Sequence, residues 1–208
     1  MSDVLLSCPI MAGLCQRHGP VRLSQQPAFE SLADAIISQQ ISGRAAEAIM
    51  NRLRDRLPVE PEPLAKANVR TLRAAGLSRA KTVYLRELAR FTTAGGLDGI
   101  ESLPDAEVVE RLTSVKGIGA WTAEMFLIFS LNRPDVWPVG DGGIQRAALN
   151  LYRIRSPRSL QKLGERFRPV RHGVAGKPAI PGYVRKIFDF GENGIYGLPS
   201  FQREPDIF

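Results

Sequence analysis

The feature that most constrains the fold of this chain is a glycine-containing turn between two apolar helical patterns. Gly117 and Gly119 stand in the string Leu-Thr-Ser-Val-Lys-Gly-Ile-Gly-Ala-Trp-Thr-Ala at 112–123. Glycine tolerates positive φ and lets a ligand approach the backbone, and a helix that begins near Trp121 presents N–H groups and the positive end of its dipole. The string predicts a helix, a hairpin and a second helix whose start suits an anion such as phosphate. The alternative is a plain helix-turn-helix corner with glycine present for steric reasons.

Apolar residues recur at helical spacing along most of the chain. Residues 64–74 are typical of one short helix, and alternating strand patterns are scarce. We therefore predict an all-α protein with many short helices. The clearest stripe has the spacing of one buried helix face and consists of Phe29, Leu32, Ala33, Ile36, Ile37 and Ile41.

The 208-residue chain carries 28 Lys and Arg against 21 Asp and Glu, a formal net charge of +7 at pH 7. Such an excess is an electrostatic footprint of nucleic-acid binding, although many basic proteins bind none. Cys8 and Cys15 are too few for an iron–sulfur cluster or a cysteine-based zinc site, and one disulfide stays open. No apolar run reaches the roughly 18 residues of a membrane span, and no basic segment begins the chain. We expect an intracellular protein without a membrane partner, cytoplasmic and nucleoid-associated if it is bacterial.

A single acidic residue, Asp141, follows the hairpin in a Pro-Val-Gly-Asp-Gly-Gly loop. The hairpin and this aspartate together resemble the helix-hairpin-helix DNA glycosylase superfamily. Trp121, the stretch Arg-Pro-Asp-Val-Trp-Pro at 133–138 and Ile144 are similar to its alkylpurine branch, the 3-methyladenine DNA glycosylase II family. Gln-Gln-Ile-Ser at 39–42 and Ala-Gly-Leu-Ser-Arg-Ala-Lys at 75–81 match earlier segments of that branch.

The resemblance implies a monofunctional DNA glycosylase of base excision repair, which hydrolyses the N-glycosidic bond of alkylated bases flipped out of duplex DNA. Asp141 matches the catalytic aspartate, whose carboxylate stabilises positive charge on the sugar and orients water. Its alternative role is the N-cap of the next helix, and both roles can hold. Trp121 stands where lyase-competent relatives carry a Schiff-base lysine, so no strand cleavage is expected. Trp121 and Met125 are expected in the substrate pocket, or else in the core.

The same resemblance implies where DNA would bind. Ile41 matches an apolar wedge that fills the gap left by the flipped nucleotide, although it also continues the buried stripe. The other expected DNA-binding residues are Gln39, Gln40, Lys116, Gly117, Ile118, Gly119, Ala120 and Thr122. No cofactor is expected, apart from a structural Na⁺ or K⁺ held by the backbone carbonyls of Thr113, Val115 and Ile118. The expected partner is double-stranded DNA containing alkylated bases, and the expected state is a monomer.

The implied architecture is a two-lobed helical fold without an N-terminal β domain, with the active site in the cleft between the lobes. Residues 1–30 plus 135–208 form one predicted lobe, and residues 31–134 form a central lobe carrying the hairpin. The segment 171–208 is expected to be irregular, because 167–171 resembles the start of the last family segment but 172–178 does not continue it. Two alternatives stay open: a non-catalytic helix-hairpin-helix DNA-binding module, and a bifunctional glycosylase/lyase.

Overall fold

A computed structural model describes residues 3–18 and 27–171, and every regular element in these ranges is helical. This confirms the all-α prediction for the described part of the chain. In chain order the α-helices are α1 (Asp3–Leu6), α2 (Pro9–His18), α3 (Ala28–Ser38), α4 (Gly43–Arg54), α5 (Pro61–Lys66), α6 (Val69–Ala74), α7 (Arg79–Thr93), α8 (Asp105–Thr113), α9 (Ala120–Phe129), α10 (Gly142–Tyr152) and α11 (Pro157–Glu165), with a 3-10 turn at Ile100–Ser102.

Side-chain caps fix where several of these helices begin. Ser42, Ser78 and Ser156 each accept a backbone N–H in the first turn of the helix that follows. A cap of this kind pairs an amide that has no partner inside the helix, and its loss costs about 1 kcal/mol. The starts of these three helices are thus fixed by local hydrogen bonds, each signalled in the sequence by a serine just before the helix.

The prediction of one helix over 64–74 is wrong, because α5 ends at Lys66 and α6 begins at Val69. Asn68 lies between them and its side chain accepts the N–H of Arg70 at 2.8 Å. Asparagine competes in this way for backbone amides and favours caps over helix interiors. The break therefore has a local cause.

The apolar stripe of α3 is confirmed as far as Ile37, with Phe29, Leu32, Ala33, Ile36 and Ile37 all buried. The helix ends at Ser38, so Ile41 lies in the turn before α4 and not on the helix. It is half-buried and packs against the core. The predicted stripe extends about one turn past the end of α3, because the spacing of apolar residues does not show where a helix ends.

The buried face of α7 packs against α3 and α5, while α9 packs against α8. The second half of α9 is enclosed on all sides, and from Met125 to Phe129 every residue is buried. Such a helix gives its exposed first turn a fixed position. That turn carries Trp121.

The segment after α9 is joined to the end of the described chain by an ion-pair cluster. Arg171 is buried, and its guanidinium donates to Asp135 Oδ1 at 2.6 Å and to the Asp135 carbonyl at 2.8 Å. Arg168 also donates to Asp135 Oδ2 at 2.8 Å. These bonds attach the start of the 133–138 stretch to the chain that follows α11.

The remaining expectations concern a disulfide, a membrane span, the C-terminal tail and the lobe boundaries. Cys8 and Cys15 are buried and no disulfide joins them. None of the helices in the described ranges is long and apolar enough to cross a membrane. Apart from Arg171, the segment 171–208 that is expected to be irregular lies outside the described residues, and the predicted lobe boundaries stay a prediction.

Candidate active site

The hairpin joins α8 to α9 through two short backbone hydrogen bonds. The N–H of Val115 donates to Leu112 at 3.1 Å, and the N–H of Ile118 donates to Val115 at 3.0 Å. Gly117 lies between them with φ of 98°, and a Cβ there would stand 2.2 Å from Cγ of Tyr84. Glycine is therefore required at 117 by both conformation and space. The steric reason for glycine thus holds at this position, and phosphate binding there stays a prediction.

Gly119 has a different role. Its φ is −96°, and a Cβ there would meet nothing within 4 Å. It precedes α9, and no side chain caps that helix. The first N–H groups of α9 thus have no side-chain acceptor. They lie at the start of the helix, after the exposed residues Lys116 and Gly119. This geometry suits a phosphate oxygen.

The expected DNA-binding residues of the hairpin differ in what they can offer. Lys116 and Ala120 are exposed, whereas the side chains of Ile118 and Thr122 are buried at 4% exposure each. Ile118 and Thr122 can therefore meet a ligand only through the backbone. The long apolar side chain of Ile118 fixes the hairpin to the core.

Asp141 caps α10, and its side chain is only 4% exposed. Oδ1 accepts the N–H of Ile144 at 2.8 Å, and the backbone N–H of Asp141 donates to Pro138 at 2.9 Å. The capping role predicted as an alternative is thus present. One carboxylate oxygen serves the cap and the other points elsewhere.

The second oxygen of Asp141 meets Trp121. The indole Nε1–H donates to Oδ2 at 2.8 Å, which joins the first turn of α9 to the start of α10 across 20 positions. The indole is 40% exposed. Trp121 is therefore not a core residue: it orients the carboxylate and presents part of its ring to solvent beside it.

Met125 lies one turn further along α9 and is 6% exposed within the core cluster. Of the two expectations for it, packing in the core is the one that the structure supports.

Glu124 is a residue of this region that the sequence analysis missed. It lies three positions after Trp121 on α9 and is half-buried between buried Ala123 and Met125. Burial raises the pKa of its carboxyl, and the charge of Asp141 raises it further. Its spacing from Trp121, which puts both residues on one helix face, was the available signal.

The turn between α3 and α4 contacts the hairpin directly. The side-chain amide Nε2 of Gln39 donates to the Gly117 carbonyl at 2.9 Å. Gln40 is exposed and has φ of 58°, and Ile41 beside it is half-buried. The structure therefore brings the predicted residues 39–41 next to the predicted hairpin, 78 positions away in sequence.

Lys81 supports this turn and was also missed as a site residue. Its Nζ donates to the carbonyl of Ile37 at 2.7 Å and to that of Gln39 at 2.6 Å. Burial lowers the pKa of its ammonium. The residue belongs to the 75–81 match, but nothing in its sequence context shows which carbonyls it reaches.

The predicted cation ligands are backbone carbonyls at the end of α8 and in the hairpin. The Val115 carbonyl already accepts the N–H of Ile118, and a carbonyl oxygen keeps a second lone pair. Carbonyl oxygens are suitable ligands for hard cations. The side chains of the described residues form no cluster of metal-ligating groups. A Na⁺ or K⁺ at Thr113, Val115 and Ile118 stays a prediction, and no part of the site described above depends on it.

The chain is similar to known proteins over most of its length. Residues 33–170 match the family described as HhH-GPD superfamily base excision DNA repair protein. DNA-3-methyladenine glycosylase 1 of Schizosaccharomyces pombe is 38% identical over 140 residues, which make up 64% of this chain and 61% of that protein. The match thus spans about three fifths of that relative's length.

Two solved structures share the fold. A DNA-3-methyladenine glycosidase from Bacillus halodurans is 34% identical, with a TM-score of 0.74 and 86% of each chain covered. A 3-methyladenine DNA glycosylase from S. pombe in complex with abasic DNA is 31% identical, with a TM-score of 0.75, covering 91% of this chain and 98% of that one. These likenesses confirm the two-lobed helical class, and with the hairpin and Asp141 in place the chain belongs to the HhH-GPD superfamily of base excision DNA repair proteins.

Proposed function

We propose that this protein is a monofunctional DNA glycosylase that hydrolyses the N-glycosidic bond of alkylated bases flipped out of duplex DNA. The observation that carries the proposal is the hydrogen bond from Trp121 Nε1 to Asp141 Oδ2 at 2.8 Å. It places an oriented, buried carboxylate beside a half-exposed indole. The names of the S. pombe and B. halodurans relatives support alkylated adenine as a substrate class.

The proposed mechanism uses Asp141 to stabilise positive charge. Breaking an N-glycosidic bond makes the sugar oxocarbenium-like, and a fixed carboxylate beside it lowers the energy of that state without reorganising. Its two oxygens accept from Ile144 N–H and Trp121 Nε1–H, both neutral donors. The carboxylate is therefore oriented by these donors but keeps its negative charge. It can also orient or deprotonate the attacking water.

The leaving base determines how much more the site must supply. An N3- or N7-alkylated purine already carries positive charge and departs without prior protonation, so a dedicated general acid is not needed. The exposed part of the Trp121 ring can attract such a cation through its π face. Alkylated bases are therefore the substrates that suit this site best.

The absence of lyase activity is part of the proposal. A lyase needs an amine to form a Schiff base with the sugar, and at position 121 the chain has an indole. Lys81, a half-buried lysine near the hairpin, has its amine donating to two backbone carbonyls. Because these bonds hold the amine against the backbone, we do not expect Lys81 to act as the nucleophile. We also propose a monomer, because one lesion needs one site.

Base release from methylated duplex DNA by the wild type and by Asp141→Asn tests the proposal, with strand nicking scored in parallel. We expect the wild type to release base without nicks and Asp141→Asn to lose release by at least about 100-fold, the scale of one preorganised charge. Asn still caps α10 through its amide oxygen, since Asn and Asp are equivalent N-caps, but its NH2 group cannot accept from Trp121 Nε1–H. Release by both proteins, or nicking by the wild type, would contradict the proposal.

Two further variants separate catalysis from capping. Asp141→Ala removes both roles and is expected to lower the free energy of unfolding by about 1 kcal/mol. Ser156→Ala removes the cap of α11, where Ser156 Oγ accepts from Ser159 N–H at 3.1 Å, and should cost a similar amount while keeping base release. A non-catalytic DNA-binding module would instead show DNA binding and no release in any of these proteins.

A further inference from the structure

Two segments proposed to meet DNA at different places are joined by one direct hydrogen bond. Gln39 lies in the turn between α3 and α4, and its Nε2 donates to the Gly117 carbonyl at 2.9 Å. A carbonyl oxygen only accepts, so this contact fixes the orientation of the amide. The turn and the hairpin cannot move apart without breaking it.

Lys81 also holds this turn, through its ammonium group. Its ammonium donates to the carbonyls of Ile37 and Gln39 at 2.7 and 2.6 Å, where α3 ends and its carbonyls lack helical partners. A cation is favoured at that end of a helix. The next residue, Gln40, has φ of 58°, which a non-glycine residue keeps only where its surroundings impose it.

Helix α7 supports both segments at once. Tyr84 stands three positions after Lys81 and lies against Gly117, so closely that a Cβ on the glycine would be 2.2 Å from the ring. One face of one helix therefore sets the turn through Lys81 and the hairpin through Tyr84. The spacing between Ile41 and the start of α9 is fixed by this common support.

We propose that Gln39 and Lys81 are positioning residues that hold the Gln40–Ile41 turn at a fixed distance and orientation from the hairpin. When a phosphate binds at the hairpin, Ile41 then lies at the gap in the base stack. The inference rests on the proposed function. Both segments are already held in place in the free protein, so DNA binding loses little conformational entropy in ordering them. A misplacement of about 1 Å in such a support can cost about 100-fold in rate.

The competing explanation is that Gln39 contacts DNA itself. Lys81 separates the two, because both of its observed hydrogen bonds go to the protein backbone. If Gln39 only touched DNA, replacing Lys81 would leave the insertion of Ile41 unchanged. If positioning of the turn is what matters, the Gln39 and Lys81 variants should both lose the insertion of Ile41.

The test uses a duplex with 2-aminopurine next to an abasic site, titrated with the full-length protein. The fluorescence amplitude at saturation reports local stacking, and the titration midpoint reports affinity. We expect Gln39→Leu and Lys81→Met to lose most of the wild-type amplitude at saturation, as Ile41→Ala does, and Lys81→Arg to restore much of it. Lys116→Met, which removes an exposed cation of the hairpin, should weaken affinity and keep the amplitude.

Full amplitude in both Gln39→Leu and Lys81→Met would overturn the inference, and so would a wild type that gives no fluorescence change at saturation. Loss in Gln39→Leu alone, with folded Lys81→Met unaffected, would show direct DNA contact instead. Thermal unfolding checks each variant, and Lys81→Gln, which also lacks the ammonium, replaces Lys81→Met if that variant does not fold. Base release by the wild type is scored separately, so failure of the proposed glycosylase activity is distinguishable from failure of this coupling.

Discussion

At the scale of single residues, Asp141 combines two tasks on one side chain. Oδ1 fixes the start of α10 through Ile144, and Oδ2 accepts from Trp121, which is placed by the buried helix α9. Because both partners are neutral, the carboxylate is oriented without an ion pair to either. The same bonds that stabilise the fold thus prepare the proposed catalytic group.

Glu124 gives a prediction about pH. Burial and the charge of Asp141 raise the pKa of its carboxyl above the ordinary value of 4.5, so ionising it opposes folding. This penalty is absent below the unfolded pKa and is fully present above the raised folded pKa. Glu124→Gln should therefore raise the melting temperature at pH 8, and the difference should vanish near pH 4.

The matched control for Glu124→Gln is Glu101→Gln, at an exposed carboxylate in the 3-10 turn. An exposed single charge contributes little to stability, so its effect should be small at pH 8. A melting temperature that falls in Glu124→Gln at pH 8 would show that the carboxylate is stabilised in the folded protein, against the assigned cause.

At the scale of elements, the hairpin assigns different tasks to its two glycines. Gly117→Ala must place a methyl group against Tyr84 at a φ of 98°, and we expect it to lower the free energy of unfolding by at least about 2 kcal/mol. Gly119→Ala meets open space at a φ of −96° and should change stability by less than about 0.5 kcal/mol. Urea unfolding of the two variants measures both.

DNA affinity should respond to Gly119→Ala although this variant keeps its stability. In Gly119→Ala the methyl group stands where a phosphate would approach the start of α9, and we expect about tenfold weaker binding, roughly one charge-assisted hydrogen bond. Unchanged affinity in this stable variant would mean that the phosphate does not approach the hairpin at Gly119.

At the scale of the whole molecule, the Asp135 cluster holds distant segments together. The Arg171 side chain is 10% exposed, and its bonds to Asp135 run from the segment after α9 to the end of the described chain. Removing Asp135 leaves the buried guanidinium with the longer contact to exposed Glu165, at 3.2 Å, as its carboxylate partner, so most of the charge compensation is lost. Asp135→Ala should therefore lower the free energy of unfolding by about 3 kcal/mol.

Glu165→Ala is the control for that prediction. Its side chain is 46% exposed where it meets Arg171 at 3.2 Å, and exposed pairs contribute little to stability, so Glu165→Ala should cost much less than Asp135→Ala. Equal losses in the two variants, measured by urea unfolding, would show that burial of Arg171 does not determine the cost.

The basic excess of the whole chain favours phosphate contacts, which make DNA binding depend on salt. Each neutralised phosphate releases counterions, so the logarithm of the affinity should fall linearly with the logarithm of salt concentration, by about 0.9 per contact. Lys116→Met should reduce the slope by about one. A flat response for the wild type would contradict phosphate binding by the hairpin.

The sequence by itself determined the helical class, the hairpin and the identity of Asp141, because helix periodicity, caps and glycine conformation depend on neighbours within a few positions. The same locality explains the errors. The stripe over α3 did not show that the helix stops before Ile41, and Asn68 was not recognised as a break. Glu124 and Lys81 were missed, since their burial and partners are not local properties.

Only the tertiary structure decided which distant groups meet. The Trp121–Asp141 bond spans 20 positions, and the Gln39–Gly117 bond spans 78. Side-chain hydrogen bonds act over about 3 Å, so their partners are fixed by how α3, α7 and α9 pack and not by any pattern along the chain. The sequence named the residues of the site, and packing determined that Trp121 orients the carboxylate, that Met125 belongs to the core and that α7 supports both the turn and the hairpin.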